Sequence, residues 1–267
     1  MYPYIEFLSM EIGTYGVFCV LGGALAFLLA LLNRRHSGLD FYDVAEAAAA
    51  VIVGAVVGAK VLYLIVDFDT VQHIIREHGM NRETLMDLMQ GGFVFYGGFL
   101  GGLLALFIYA GLMKMPLQLY LMTIAPGIPL AHAFGRVGCF MAGCCYGIPS
   151  EVCGIAFENA LGAPNGIKLF PVQLLESALL LVLAVIMEIY YMRSKRHHCV
   201  IYLYLFLYPV IRLITEQFRY DDAQRGIFLG LSTSTWISIG IMIVGSILFL
   251  MDWRKGFPEP ELPEYEE

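Results

Sequence analysis

The sequence predicts an all-α integral membrane protein of about seven transmembrane helices, with the N-terminus outside and the C-terminus in the cytoplasm. Three observations lead there. Of 267 residues, 59% are hydrophobic and 15% charged, whereas a soluble domain carries roughly 45–50% apolar and about 25% charged residues. The apolar residues gather into seven runs, approximately 13–32, 44–66, 92–113, 117–134, 172–192, 199–216 and 231–251, to be set against the roughly 20 residues that cross a bilayer. Lysine and arginine in the short loops (Arg34, Arg35, Lys114, Arg193, Lys195, Arg196, Arg254, Lys255) then fall on one side, which the positive-inside rule makes cytoplasmic. The loops 67–91, 135–171 and 217–230 face outward on this count.

Residues 1–253 are expected to form a single polytopic membrane domain. Residues 254–267, RKGFPEPELPEYEE, read as a disordered, acidic, proline-rich cytoplasmic tail. Much of the net charge of −7 sits there, and with no basic stripe elsewhere nucleic acid is excluded as a partner. The N-terminus lacks a basic n-region and carries Glu6, so the first span is expected to act as its own insertion signal.

The first span opens with Thr14-Tyr15-Gly16, where a tyrosine suits either an interfacial belt or a functional site. The second carries Gly54, Gly58 and Ala59, a small-residue face for close helix packing, and Lys60, which either snorkels or meets a ligand. The mixed-charge loop after it reads as a solvated amphipathic segment on the membrane. Next come Gly91, Gly92, Gly97, Gly98, Gly101 and Gly102, six glycines in twelve residues around Tyr96. They mark close helix contact or backbone approach to a ligand, and without a following G-K-[ST] they are not a phosphate loop. The fourth span holds Pro126 and Pro129 and is expected to kink or break near its end.

The chain is read as organised around 131–147, AHAFGRVGCFMAGCCYG. A guanidinium stays charged everywhere, so Arg136 near lipid must meet an anion or a cage of carbonyls. His132 precedes it by four residues and shares its face if the segment is helical. An imidazole there is a candidate base; the alternative is a hydrogen bond to a carbonyl freed by Pro126 or Pro129. Gln173 and Glu176, three apart in the first turn of the fifth span, either cap that helix or line a polar cavity. Tyr208, Arg212, Glu216 and Arg219 form one stripe along the sixth span. Such a stripe is costly in lipid, so it faces a site or fixes packing through an Arg–Glu pair. Small buried thiols suffice for Cys19 and Cys199; Cys139, Cys144, Cys145 and Cys153 lie on an outward loop where disulfides can form. No CxxC pair points to a metal, and no cofactor is expected.

Taken in order over nearly the whole chain, these motifs resemble the prolipoprotein diacylglyceryl transferase family. The resemblance rests on Tyr15-Gly16, the Gly-Gly-x4-Gly-Gly run at 91–98, Gly135-Arg136-x-Gly138-x-Phe140, Gly143 and Gly147. Pro171-x-Gln173-Leu174-x-Glu176 and the Tyr208, Arg212, Glu216, Arg219 stripe complete it. It implies transfer of the diacylglyceryl group of phosphatidylglycerol to the lipobox cysteine of a prolipoprotein, at a bacterial plasma membrane, giving a thioether and glycerol phosphate. Arg136 and Arg212 would bind phosphate, Arg212 oriented by Glu216. Tyr15, Tyr96 and Tyr208 would be polar contacts, and His132 the base for the thiol. Gly97, Gly98, Cys139, Gln173, Glu176 and Arg219 complete the expected substrate-binding set. Where the family has asparagine, glutamate and histidine this chain has Cys139, Cys144 and Tyr96. The rival readings are a phospholipid head-group transferase with another acceptor, and a non-enzymatic lipid-binding or transport protein on the same scaffold.

Overall fold

The computed structural model describes residues 1–7, 10–79, 81, 82, 84, 88, 94–220 and 227–258. The expected tail from 259 onward and Gly91 and Gly92 lie outside the described residues. The described residues divide into two compact units, Met1–Ser37 with residues 121–258, and Gly38–Tyr120.

Each apolar run becomes helix. In the first unit these are α1 (Thr14–Ser37), then α6 (Gly127–Ala142), α7 (Val172–Arg193), α8 (Val200–Glu216) and α9 (Thr233–Arg254). The second unit holds α2 (Phe41–Val66), α3 (Phe68–His78) and α4 (Phe95–Leu112), and α5 (Leu117–Ile124) crosses the division. By length and hydropathy five described helices can cross a bilayer, namely α1, α2, α7, α8 with its preceding 3-10 turn, and α9. They become six if α5 and α6 are one span, bent by 47°. The break falls where the prolines predicted it, with Pro126 preceding Gly127. The shorter α4 covers the third apolar run, 92–113. Each span leaves large apolar side chains on its outside, such as Val20 and Leu28 on α1 and Val182 and Val185 on α7, as lipid-facing helices do.

The all-α expectation misses three short antiparallel pairs. Strands β1 (Tyr4–Phe7) and β2 (Met10–Gly13) pair Tyr4 with Gly13 and Ile5 with Ile12, leading directly into α1. Strands β3 (Ile155–Ala156) and β4 (Lys168–Leu169) close the loop after α6, and β5 (Ile227–Phe228) pairs with β6 (Leu231–Ser232) ahead of α9. Phe157, Ala163 and Leu169 give that loop a small core of its own, with Phe140 of α6 edge-on to Phe157. The loop is fastened to the end of α8 through Ile148 N–H to the Phe218 carbonyl at 2.9 Å and Tyr220 N–H to the Tyr146 carbonyl at 3.3 Å. It is fastened to itself by Phe170 to Ile148 and Ser150 to Lys168, both at 2.9 Å.

Helix α7 is the centre of the first unit. Val172, Glu176, Leu180, Leu183, Met187 and Tyr191 recur every three or four residues and, like Gln173, are all essentially inaccessible. Ser177 donates to the Ala133 carbonyl of α6 at 3.0 Å, while Asn33 of α1 donates to Glu188 at 3.0 Å. In the second unit α2 and α4 meet backbone to backbone. A Cβ on Gly58 would stand 2.3 Å from the Gly97 carbonyl oxygen, and one on Gly101 2.2 Å from that of Gly54. Only glycine permits that approach, so the small-residue face of α2 and the glycine run of α4 are halves of one contact. Tyr109 of α4 donates to Glu46 of α2 at 3.0 Å. Lys60, for which the sequence left snorkelling or a ligand open, stands 4.9 Å above the Tyr63 ring.

Candidate active site

Helices α6, α7 and α8 each send ionisable side chains to one buried point, the carboxylate of Glu176. The side chain of Glu176 is 1% exposed, and those of Arg136 and Arg212 are each 10% exposed. Arg136 Nη2 donates to Glu176 Oε2, and Arg212 Nη1 lies 3.2 Å from the same oxygen. Arg212 Nη2 reaches Glu216 Oε2 one turn along α8, at 2.9 Å. His132 Nε2 is 3.9 Å from Glu176 Oε1, so His132 and Arg136 do share a face of α6, one turn apart. The His132 ring tilts against Tyr208 at 5.5 Å, and Tyr208 stacks on Tyr204 at 5.2 Å.

Two guanidiniums and two carboxylates make the group neutral overall while His132 is neutral. Burial of four charges is tolerable only because each is paired. Donor capacity remains, since a guanidinium carries five N–H groups. Arg136 Nε is buried with no hydrogen-bond partner among the described residues, as is the side-chain oxygen of Gln173. The Gln173 amide meanwhile donates to the Cys144 carbonyl at 2.7 Å. An anion entering here meets fixed donors in a dry setting, where charge-assisted bonds are strongest.

The thiols gather on the other side of Arg136. Helix α6 ends at Gly143, whose φ of 71° only glycine adopts freely. Gly143 N–H bonds to the Phe140 carbonyl at 3.1 Å and Cys144 N–H to the Cys139 carbonyl at 3.0 Å. This double closure returns the chain over the last turn. It sets Cys144 against Cys139, and Cys145, itself at φ 56°, completes the turn. The three sulfurs lie within 4.8 Å of one another. Arg136 Nη1 stands 3.9 Å from Cys139 Sγ. Hydrogen bonds from Cys139 and Cys144 to its sulfur hold the Cys145 thiol well below the usual range, helped by the charges of Arg136 and Arg219. Hydrogen bonding with Cys139 and Cys145 pushes Cys144 up. None of the six cysteines is in a disulfide, and Cys153 is exposed.

Tyr15 packs over Gly138, where a Cβ would stand 3.2 Å from the tyrosine Cα and Cδ2, and its hydroxyl bonds with Cys19. Arg219 is bridged through its backbone to Gly147. The structure thus brings together Arg136, Arg212, Glu216, Glu176, His132, Tyr208, Gln173, Cys139, Tyr15 and Arg219, all in the first unit. Gly97 and Gly98 belong to the second unit, where they face α2, and the side chain of Tyr96 lies outside the described residues. Glu176 is the shared partner of both arginines.

A family model described as prolipoprotein diacylglyceryl transferase matches residues 3–251. The chain belongs to the prolipoprotein diacylglyceryl transferase family. Its curated relatives include a phosphatidylglycerol–prolipoprotein diacylglyceryl transferase of Clostridium tetani, 35% identical over 252 residues, covering 94% of this chain and 97% of the relative. A second such transferase of Clostridium perfringens is 31% identical over 259 residues, covering 95% and 96%. That of Finegoldia magna is 25% identical over 241 residues, covering 90% and 91%. In this member of the prolipoprotein diacylglyceryl transferase family Cys139 and Cys144 stand together in the thiol cluster.

Proposed function

We propose that this chain transfers the diacylglyceryl group of phosphatidylglycerol to the lipobox cysteine of a prolipoprotein in a bacterial plasma membrane. Family membership supports the reaction, and one observation ties it to residues. Two buried guanidiniums from different helices converge on Glu176, with the Nε of Arg136 still unpartnered among the described residues.

In this reading the thiol passes its proton to His132 and the sulfur attacks the diacylglyceryl carbon bonded to the phosphate oxygen. A C–S bond forms and the C–O bond breaks. The electron pair leaves on the phosphate of glycerol phosphate, where Arg136 and Arg212 receive the charge. Glu176 and Glu216 hold both guanidiniums in place beforehand, so little reorganisation is needed at that moment. Tyr15, Tyr208, Gln173 and Arg219 line the polar surroundings. The membrane arrangement that fits has seven spans, α4 being a short one and α5 with α6 a bent one. The N-terminus is then outside and the site at the outer leaflet.

The test is incubation of the purified protein with labelled phosphatidylglycerol and a lipobox peptide. Labelled diacylglyceryl on the peptide cysteine, with release of glycerol phosphate, is the expected result. Lipid consumed without peptide labelling would favour another acceptor, and no turnover at all would remove the transferase reading.

A further inference from the structure

The geometry points to a metal site: Cys139, Cys144 and Cys145 hold a thiophilic divalent ion, Zn²⁺ in the first instance, with its fourth position open to an incoming thiol. The donor set comes first. Three sulfurs lie within 4.8 Å of one another, and a tetrahedral ion with Zn–S bonds of about 2.3 Å needs them roughly 3.8 Å apart. Side-chain rotation covers the difference. Cys139 and Cys144 are separated by four residues, within the two-to-four spacing of paired zinc cysteines.

Local structure holds the donors there independently of any ion. Cys139 sits on the last turn of α6, and the Gly143 closure fixes Cys144 above it through the 3.0 Å bond to the Cys139 carbonyl. Cys145 is a non-glycine residue at φ 56°, a conformation that surrounding structure must enforce. Preformed ligands of this kind lose little freedom on binding.

Charge is the second argument. A divalent ion with three thiolates carries a net charge of −1, which a plain apolar interior rejects. Here Arg136 Nη1 stands 3.9 Å from the Cys139 sulfur, as supporting groups do around metal thiolates. Access is the third. Cys139 is buried while Cys144 and Cys145 are half-exposed, so the site is closed on one side only, as in zinc sites that accept a fourth ligand. Arg136 adjoins both this cluster and Glu176, so a thiol bound at the open position lies beside the proposed phosphate clamp. There the metal would take it as thiolate, the proton passing to His132. This last clause rests on the transferase reading; the three-sulfur site does not.

The experiment uses the full chain, purified in detergent under reductant, stripped with chelator and given one equivalent of Zn²⁺ or Co²⁺. Elemental analysis is expected to return one metal per chain. The cobalt form is expected to show sulfur-to-metal charge-transfer bands and the visible bands of tetrahedral cobalt. Cys139→Ser and Cys145→Ser each weaken binding more than tenfold, whereas Cys19→Ser and Cys153→Ser leave it unchanged. A lipobox peptide with cysteine shifts the cobalt bands, and the same peptide with serine does not. Failure to retain metal, retention unaffected by Cys139→Ser and Cys145→Ser, or a disulfide within the triad overturns the site. Metal held without any response to the cysteine peptide overturns the open position. No arm reads lipid transfer, so this proposal and the transferase reading fail separately.

Discussion

Replacing Glu176 by glutamine removes one negative charge from the point where three helices meet. Arg212 keeps Glu216 at 2.9 Å, but Arg136 has no other carboxylate within ion-pair distance among the described residues. Breaking a buried pair from one side costs about 3–5 kcal/mol, because the remaining charge stays buried and uncompensated. Glutamine keeps an acceptor oxygen, which places the expected loss near the lower figure, about 3 kcal/mol. At roughly 2–4 °C per kcal/mol for a chain of this order, the midpoint of unfolding drops about 6–12 °C. Glu151 is the control. It too pairs with a cation, Lys168 at 3.3 Å, but its side chain is 88% exposed, and exposed pairs contribute about 1 kcal/mol or less. The assay is thermal unfolding in one detergent, followed by a thiol-independent dye and by circular dichroism. If Glu176→Gln melts no lower than Glu151→Gln, Glu176 does not hold the guanidiniums and the account of the site is wrong.

Arg136→Lys and Arg212→Lys should each lower transfer by at least 10²-fold while the protein stays folded, since lysine keeps the charge but not the planar fork; near-full activity in both removes the clamp. His132→Gln should slow transfer about 10²–10⁴-fold and flatten the acidic limb of the pH–rate profile; a retained rate and limb mean the base lies elsewhere. Gly58→Val, which forces a side chain onto the Gly97 carbonyl, should destabilise the protein by about 1–3 kcal/mol, read as a lower melting midpoint. Cysteine-accessibility labelling on a cysteine-free background should find 194–198 cytoplasmic and 150–166 external, and labelling in the opposite sense overturns the span count.

The helices were legible because hydropathy is a local property. Every apolar run coincides with helix, and the break in the fourth falls at Pro126, where the missing N–H and the ring make it. Period alone aligned Arg212 with Glu216 and His132 with Arg136. The role of Glu176 was not legible, since Arg136 is 40 residues before it and Arg212 is 36 after it, and no periodicity reaches across a loop. The thiol cluster was half legible. Gly143 marks a helix end in the sequence, but the left-handed turn at Cys145 that draws the third sulfur inward carries no residue signal. Strands β3 to β6 were missed because two-residue pairs leave no alternation to read.

The loop after α6 is stitched to the end of α8 by two main-chain hydrogen bonds, Ile148 N–H to the Phe218 carbonyl and Tyr220 N–H to the Tyr146 carbonyl. A Cβ on Gly147, between them, would meet the carbonyl oxygens of Phe170 at 2.4 Å and Phe218 at 2.7 Å. At about 1 kcal/mol each, breaking the two together is uphill by roughly 2 kcal/mol, so the detached loop is populated about once in thirty molecules. Traffic that depended on that state would be throttled by the same factor. Any bulkier residue at 147 would loosen the stitching, and with it the anchorage of Glu216 and Arg219 at the end of α8.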